Sequence, residues 1–184
     1  MKVIVLIAGS LDRWDVTKEK IELIEKPFSD CKNWNKGNFY GLDDKEIKDA
    51  LIDYRINVLK HYGFEDFLKT KTNDPEKIKS IILDQALGWA NHFDPNSLII
   101  LRRANYNSSA LKKLENIKIP ILKVLAKTDK VTNMDKGYET VEYFKSLKIR
   151  YKFLALHTDY GHYGPMCESN EWSEELKKFL DNTI

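Results

Sequence analysis

The stretch from Ile119 to His162 constrains this chain more than any other. It opens with Ile119-Pro120-Ile121-Leu122-Lys123-Val124-Leu125-Ala126, an apolar run long enough for a buried parallel strand. The run stops at Lys127-Thr128-Asp129, so a carboxylate stands where the strand hands over to a loop. Apolar Tyr138, Val141, Phe144 and Leu147 then recur at helical spacing. A second run, Arg150-Tyr151-Lys152-Phe153-Leu154-Ala155-Leu156, delivers Asp159-Tyr160-Gly161-His162-Tyr163-Gly164. Strand, helix and strand make a right-handed β-α-β unit, and both loops fall at the carboxyl ends of neighbouring parallel strands. Asp129 and His162 should therefore meet. An acid that orients a histidine is two-thirds of a nucleophilic triad.

The remaining chain fits around that unit. Val3 to Ala8 is unbroken, apolar and β-branched, which suits a strand covered on both faces. Gly9-Ser10 ends it without the G-x-G-x-x-G spacing of a phosphate loop. Asp15 to Lys26 reads as a helix stopped by Pro27. Residues 28–42 read as a loop whose aromatic residues anchor it to the core. From Asp43 to Asn107 the pattern is helical. Asp43 or Asp44 can cap a first helix ending before Gly63, and Asp74-Pro75 and Asp94-Pro95 each open another. Three helices with no strand between them look like an inserted cap. Asn170 can cap a final helix with Trp172, Leu176, Phe179 and Leu180 turned inward. The expected architecture is α/β, with a three-stranded parallel sheet in the order 1-2-3 over residues 3–8, 121–126 and 151–156. The core comprises 1–42 and 108–184, and 43–107 forms a helical cap insertion.

A net charge of +2 gives no reason to expect nucleic acid or a membrane as partner. Cys31 and Cys167 lack metal-ligand spacing and read as reduced thiols of a cytoplasmic protein. The short apolar run after Met1-Lys2 is better explained as a first strand than as a signal peptide. No apolar run approaches the length of a membrane span.

These residues together resemble the homoserine O-acetyltransferase family of the α/β-hydrolase fold. Ile7-Ala8-Gly9-Ser10 looks like the strand that follows the family's nucleophile helix. Asp30, Trp34 and Gly37-Asn38-Phe39-Tyr40 are similar to its Asp-Pro-x-Trp-x-x-Gly-x-Tyr. His92-Phe93-Asp94-Pro95-Asn96-Ser97-Leu98 is similar to its Arg-Phe-Asp-Ala-Asn-Ser-Tyr. Lys127-Thr128-Asp129 and Asp159-Tyr160-Gly161-His162 match the triad acid and histidine. The motifs span nearly all of this chain but only the C-terminal half of the family. The resemblance implies a partial α/β-hydrolase with Asp129 as the orienting acid and His162 as the general base. It also implies Tyr160 and Tyr163 beside the substrate, acetyl-CoA as acyl donor with no resident cofactor, and a place in methionine biosynthesis.

The family's Gly-x-Ser-x-Gly nucleophile elbow does not occur in this sequence. Ser10 follows a strand, but Leu11-Asp12-Arg13 lacks the small residues an elbow needs. Tyr163 stands where the family carries an Asp that meets the substrate ammonium. Leu23-Ile24-Glu25-Lys26 replaces its Arg-Gln-Ala-Ile, and with it an arginine that would clamp a carboxylate. One expectation is an acyltransferase part, inactive alone, whose serine comes from a separate N-terminal half. The other is a non-catalytic α/β-hydrolase-like protein that serves in binding or assembly. In either case Val3 to Ala8 would be an apolar sheet edge inviting self-association or pairing with that half. His157 is the one rival to His162 as base; His61 and His92 read as structural.

Overall fold

The computed structural model describes residues 2–11 and 17–183. Three strands form one parallel sheet in the order β1 (Ile4–Ile7), β2 (Ile121–Ala126), β3 (Tyr151–Leu156). Ile4 pairs with Ile121 in the first ladder, and Ile121 with Tyr151 in the second. Parallel strands need crossovers, and helix α6 (Met134–Ser146) supplies the one between β2 and β3. Among the described residues eight α-helices accompany the strands.

The chain divides into two compact units, one of residues 1–12, 61–67 and 109–184, the other of residues 13–60 and 68–108. The sheet belongs to the first. β2 is buried at every position, because alternate side chains enter a different layer on each face. Ile121 packs with Leu114, Phe144 and Ile149. Leu122 and Val124 pack with Trp172 and Phe179 of helix α8 (Asn170–Asp181). β1 is different. It is the outer strand of the sheet and only half-buried, with Ile7 48% exposed. The expectation of cover on both faces fails there because neighbours flank β2 on two sides but β1 on one.

The second unit contains helices α1 (Lys18–Ser29), α4 (Pro75–Ala90), α5 (Pro95–Tyr106) and nearly all of α2 (Lys45–His61). Phe28, Trp34, Phe39, Ile47, Leu51, Ala90, Leu98 and Ile99 form its core. Trp34 and Phe39 stack at 5.5 Å, so the aromatic residues of the 30–41 loop do anchor it. Trp34 and Phe39 thus place the loop between α1 and α2 in the same core as these helices. Asp74 accepts from the N–H groups of Glu76 and Lys77, and Asp94 from that of Ser97, the N-caps expected before each proline.

Two local expectations change. Pro27 lies inside α1 rather than ending it. In the last turn a proline forfeits one hydrogen bond, and fully burying Phe28, worth about 2–3 kcal/mol, offsets that loss. The helix is capped by Thr17; the expected start at Asp15 lies outside the described residues. Asn170 does not cap α8. The preceding Ser169 already has helical dihedrals and makes no side-chain cap bond, because a short helix, α7 (Gly164–Cys167), leads almost directly into α8. A separate short helix, α3 (Phe64–Lys69), has no counterpart among the elements expected from the sequence.

Lys123, in the middle of β2, has no exposed surface, and its ammonium donates to the Gly9 carbonyl at 2.8 Å. Burial lowers its pKa to about 8, against an opposing pull from the Asp129 carboxylate. Above about pH 8 the folded chain releases this proton while the unfolded chain holds it up to about pH 10.5. The cost of the buried charge therefore fades as pH rises through that interval. Relative to Lys123→Met, the native protein should gain up to about 3 kcal/mol between those two pH values, measured by urea unfolding.

Candidate functional site

Asp129 and His162 meet as the β-α-β reading expects. Asp129 follows β2 and His162 lies in a 3₁₀ turn after β3, Gly161–Tyr163. Asp129 Oδ2 is 2.8 Å from His162 Nδ1. The Asp129 side chain is wholly buried and that of His162 is 16% exposed. The other carboxylate oxygen, Oδ1, accepts from the N–H groups of Val131 and Thr132 at 2.7 and 2.9 Å. A buried carboxylate is tolerated only when its lone pairs are occupied, and here they are. The two oxygens divide the work: Oδ1 fixes the acid to its loop and Oδ2 faces the imidazole.

Short polar links tie these loops to the sheet. The Thr128 hydroxyl donates to Thr158 O at 2.6 Å and accepts from Gly161 N–H at 3.2 Å, joining the acid loop to the histidine turn. The buried Thr132 hydroxyl donates to Ala8 O at 3.0 Å, joining the same loop to the end of β1. With the Lys123 bond to Gly9 O, two consecutive carbonyls beyond β1 are held from the β2 side.

Tyr160 and Tyr163, expected beside the substrate, have their rings engaged within the protein. Tyr163 packs on Phe64 at 4.9 Å and Tyr160 meets Phe67 edge-on at 5.5 Å. The ring set against His162 is Tyr62, with centroids 4.5 Å apart and planes tilted by 55°. Sequence reasoning passes over residues 61–67 as the end of a helix. The signal was the run His61-Tyr62-Gly63-Phe64 with Phe67, a glycine amid aromatic residues beside no core stripe.

The rival histidine, His157, is exposed, and its Nε2 lies 2.6 Å from the Lys127 ammonium. An ammonium only donates, so that nitrogen accepts from a cation, whereas His162 Nδ1 faces the Asp129 carboxylate. Cys31 and Cys167 form no disulfide. Burial, followed by the Glu46 and Asp30 carboxylates, pushes the Cys31 thiol pKa up, which disfavours the reactive thiolate. Among the described residues no group of three or more His, Cys, Asp or Glu could hold a metal ion, and no helix is long and apolar enough to cross a membrane.

Similarity to solved structures covers almost the whole chain. Esterase E22 superposes with a TM-score of 0.75 at 17% identity, over 98% of this chain and 54% of its own. An enol-lactonase from Burkholderia xenovorans superposes with a TM-score of 0.65 at 14% identity, over 98% of this chain and 56% of its own. The fold is that of the α/β-hydrolases. Homoserine O-acetyltransferase from Bacillus anthracis shares it, with a TM-score of 0.71 at 15% identity over all of this chain and 54% of its own. In sequence, the chain is 26% identical to homoserine O-acetyltransferase of Methanohalobium evestigatum, covering 82% of this chain and 35% of that protein. The resemblance read from the motifs, to part of this α/β-hydrolase family, therefore stands. The chain spans about half the length of these solved structures and about a third of that curated relative. No protein-family model matches it.

The Thr128 link has a measurable weight. Thr128→Val keeps the shape but strands one carbonyl and one N–H, and it should lower stability by about 1 kcal/mol, whereas Thr128→Ser should not. Urea unfolding of the three proteins checks this.

Proposed function

We propose that this chain carries the acid and base of an acyl-transfer site whose nucleophilic serine is supplied from outside these residues. The observation that carries the reading is the 2.8 Å contact between the Asp129 carboxylate and His162 Nδ1. With Nδ1 bound to Asp129, the other ring nitrogen is the one able to take a proton from a serine hydroxyl, and Asp129 stabilises the imidazolium that results. The alkoxide would attack the acetyl-CoA thioester, the C–S bond breaking so that CoA leaves as a thiol with the imidazolium's proton. The acetyl-serine would then be attacked by a hydroxyl of homoserine type, whose proton returns through His162 to the released serine. The similarity to a homoserine O-acetyltransferase in sequence and in fold supports this choice of reaction.

The edge of β1 is the place we assign to the strand that brings the serine. Ile4 N–H donates to Pro120 O and Ala8 N–H to Val124 O, so even-numbered residues address β2. The backbone groups of Val5 and Ile7 point the other way, along an apolar strand open to a further parallel strand. A second copy of the chain is the competing occupant. Sedimentation should show self-association at micromolar concentration, relieved by Ile7→Lys; a clean monomer would count against the edge.

A second reading, a non-catalytic binding or assembly protein, is favoured by one observation. Tyr160 and Tyr163 are packed against Phe67 and Phe64 and so are committed to internal contacts. Activity separates the readings. The chain alone should transfer no acetyl group from acetyl-CoA to homoserine or serine and should resist fluorophosphonate. Mixing with a polypeptide that carries the Gly-x-Ser-x-Gly elbow and its strand should produce transfer. His162→Ala should then cut the rate by several orders of magnitude, Asp129→Asn should act likewise, and His157→Ala should leave it unchanged. Strong labelling of the isolated chain at Ser10 would overturn the proposal.

A further inference from the structure

We propose that Tyr62 is a positioning residue for His162, held in place by the backbone of the turn that carries the histidine. This rests on the reading of His162 as the base of the proposed site, but its evidence is separate. The hydrogen bond to Asp129 grips the imidazole at one ring atom, Nδ1. Rotation about the histidine χ2 is intrinsically broad, and the bond at Nδ1 sets the plane of the ring within the angular range that a hydrogen bond tolerates. The Tyr62 ring restrains that plane, 4.5 Å from the imidazole in a tilted arrangement that aromatic pairs favour.

Tyr62 is itself fixed by its neighbours on the backbone. Tyr163 N–H donates to Tyr62 O at 3.0 Å, a bond shared with Tyr160 O. A Cβ on Gly63 would stand 2.5 Å from Tyr160 O, and a Cβ on Gly161 would stand 3.3 Å from Tyr62 O. The two segments meet through a glycine on each side, both at positive φ, and neither position tolerates a side chain without movement. Phe64 on Tyr163 and Phe67 on Tyr160 continue the contact to either side. The joint between α2 and α3 is therefore seated on the histidine turn by backbone geometry, and Tyr62 is the residue it presents to the imidazole.

The test is NMR of the full chain labelled with ¹⁵N-histidine, reading the His162 Nδ1 proton that bridges to Asp129. The native protein and Tyr62→Phe, which keeps the ring and loses only the hydroxyl, should give the same resonance. In Tyr62→Ala that proton should exchange about tenfold faster and move toward the position of a free imidazole, the backbone amide spectrum staying folded. Should Tyr62→Ala fail to fold, Tyr62→Leu fills the space without a flat ring and should show the same acceleration. A native shift and exchange rate in a folded Tyr62→Ala or Tyr62→Leu would overturn the proposal, as would loss of the resonance in Tyr62→Phe. The measurement needs neither acyl donor nor serine, so absence of acetyl transfer would leave it intact, and its own failure would leave Asp129 and His162 as an acid–base pair.

Discussion

The structure of the sheet-bearing unit depends on the complete burial of β2. A strand covered on both faces and paired along both edges is the most constrained backbone a small sheet can contain, and here its whole length is enclosed. The loop that leaves its carboxyl end inherits that order. Asp129 begins within three residues of the last strand residue, so its carboxylate is placed by the sheet rather than by a mobile connection. Lys123 shows how strongly the strand is held: an ammonium is enclosed in the sheet with a carbonyl as its hydrogen-bond acceptor.

The acid–histidine contact is the visible part of a larger polar network. The acid uses one oxygen for its own loop and one for the imidazole, so neither bond competes with the other. Thr128 and Thr132 extend the same loop to the ends of β3 and β1. Side chains as short as threonine reach such distances only when the backbones are already close, which the parallel pairing ensures. The network therefore both depends on the sheet and ties the three carboxyl ends to one another.

Much of this is legible in the sequence because it rests on periodicity and punctuation. The strand runs and the Asp-Pro pairs before α4 and α5 act over a few neighbouring residues, whereas the stripe expected on α6 holds only at Val141 and Phe144, Tyr138 and Leu147 being exposed. What the sequence does not reveal is non-local. Pro27 is retained inside α1 because Phe28 is buried by residues far along the chain. The loop between α1 and α2 joins the helical unit through Trp34 and Phe39, whose core also draws on α2, α4 and α5. Tyr62 is the clearest case: an ordinary residue at a helix end becomes the neighbour of His162 through two glycines in segments nearly a hundred residues apart.

The Thr128 bridge has an implication for how such a chain can change over time. Acid, histidine and the hydroxyl that joins their loops all lie on one continuous β-α-β segment. A single recombination event could carry that segment whole, with the spacing of the pair intact. The Tyr62 joint lies elsewhere in the sequence and would be left behind. The acid and histidine would thus travel as one piece, while the aromatic residue set against the histidine would be exchanged independently of them.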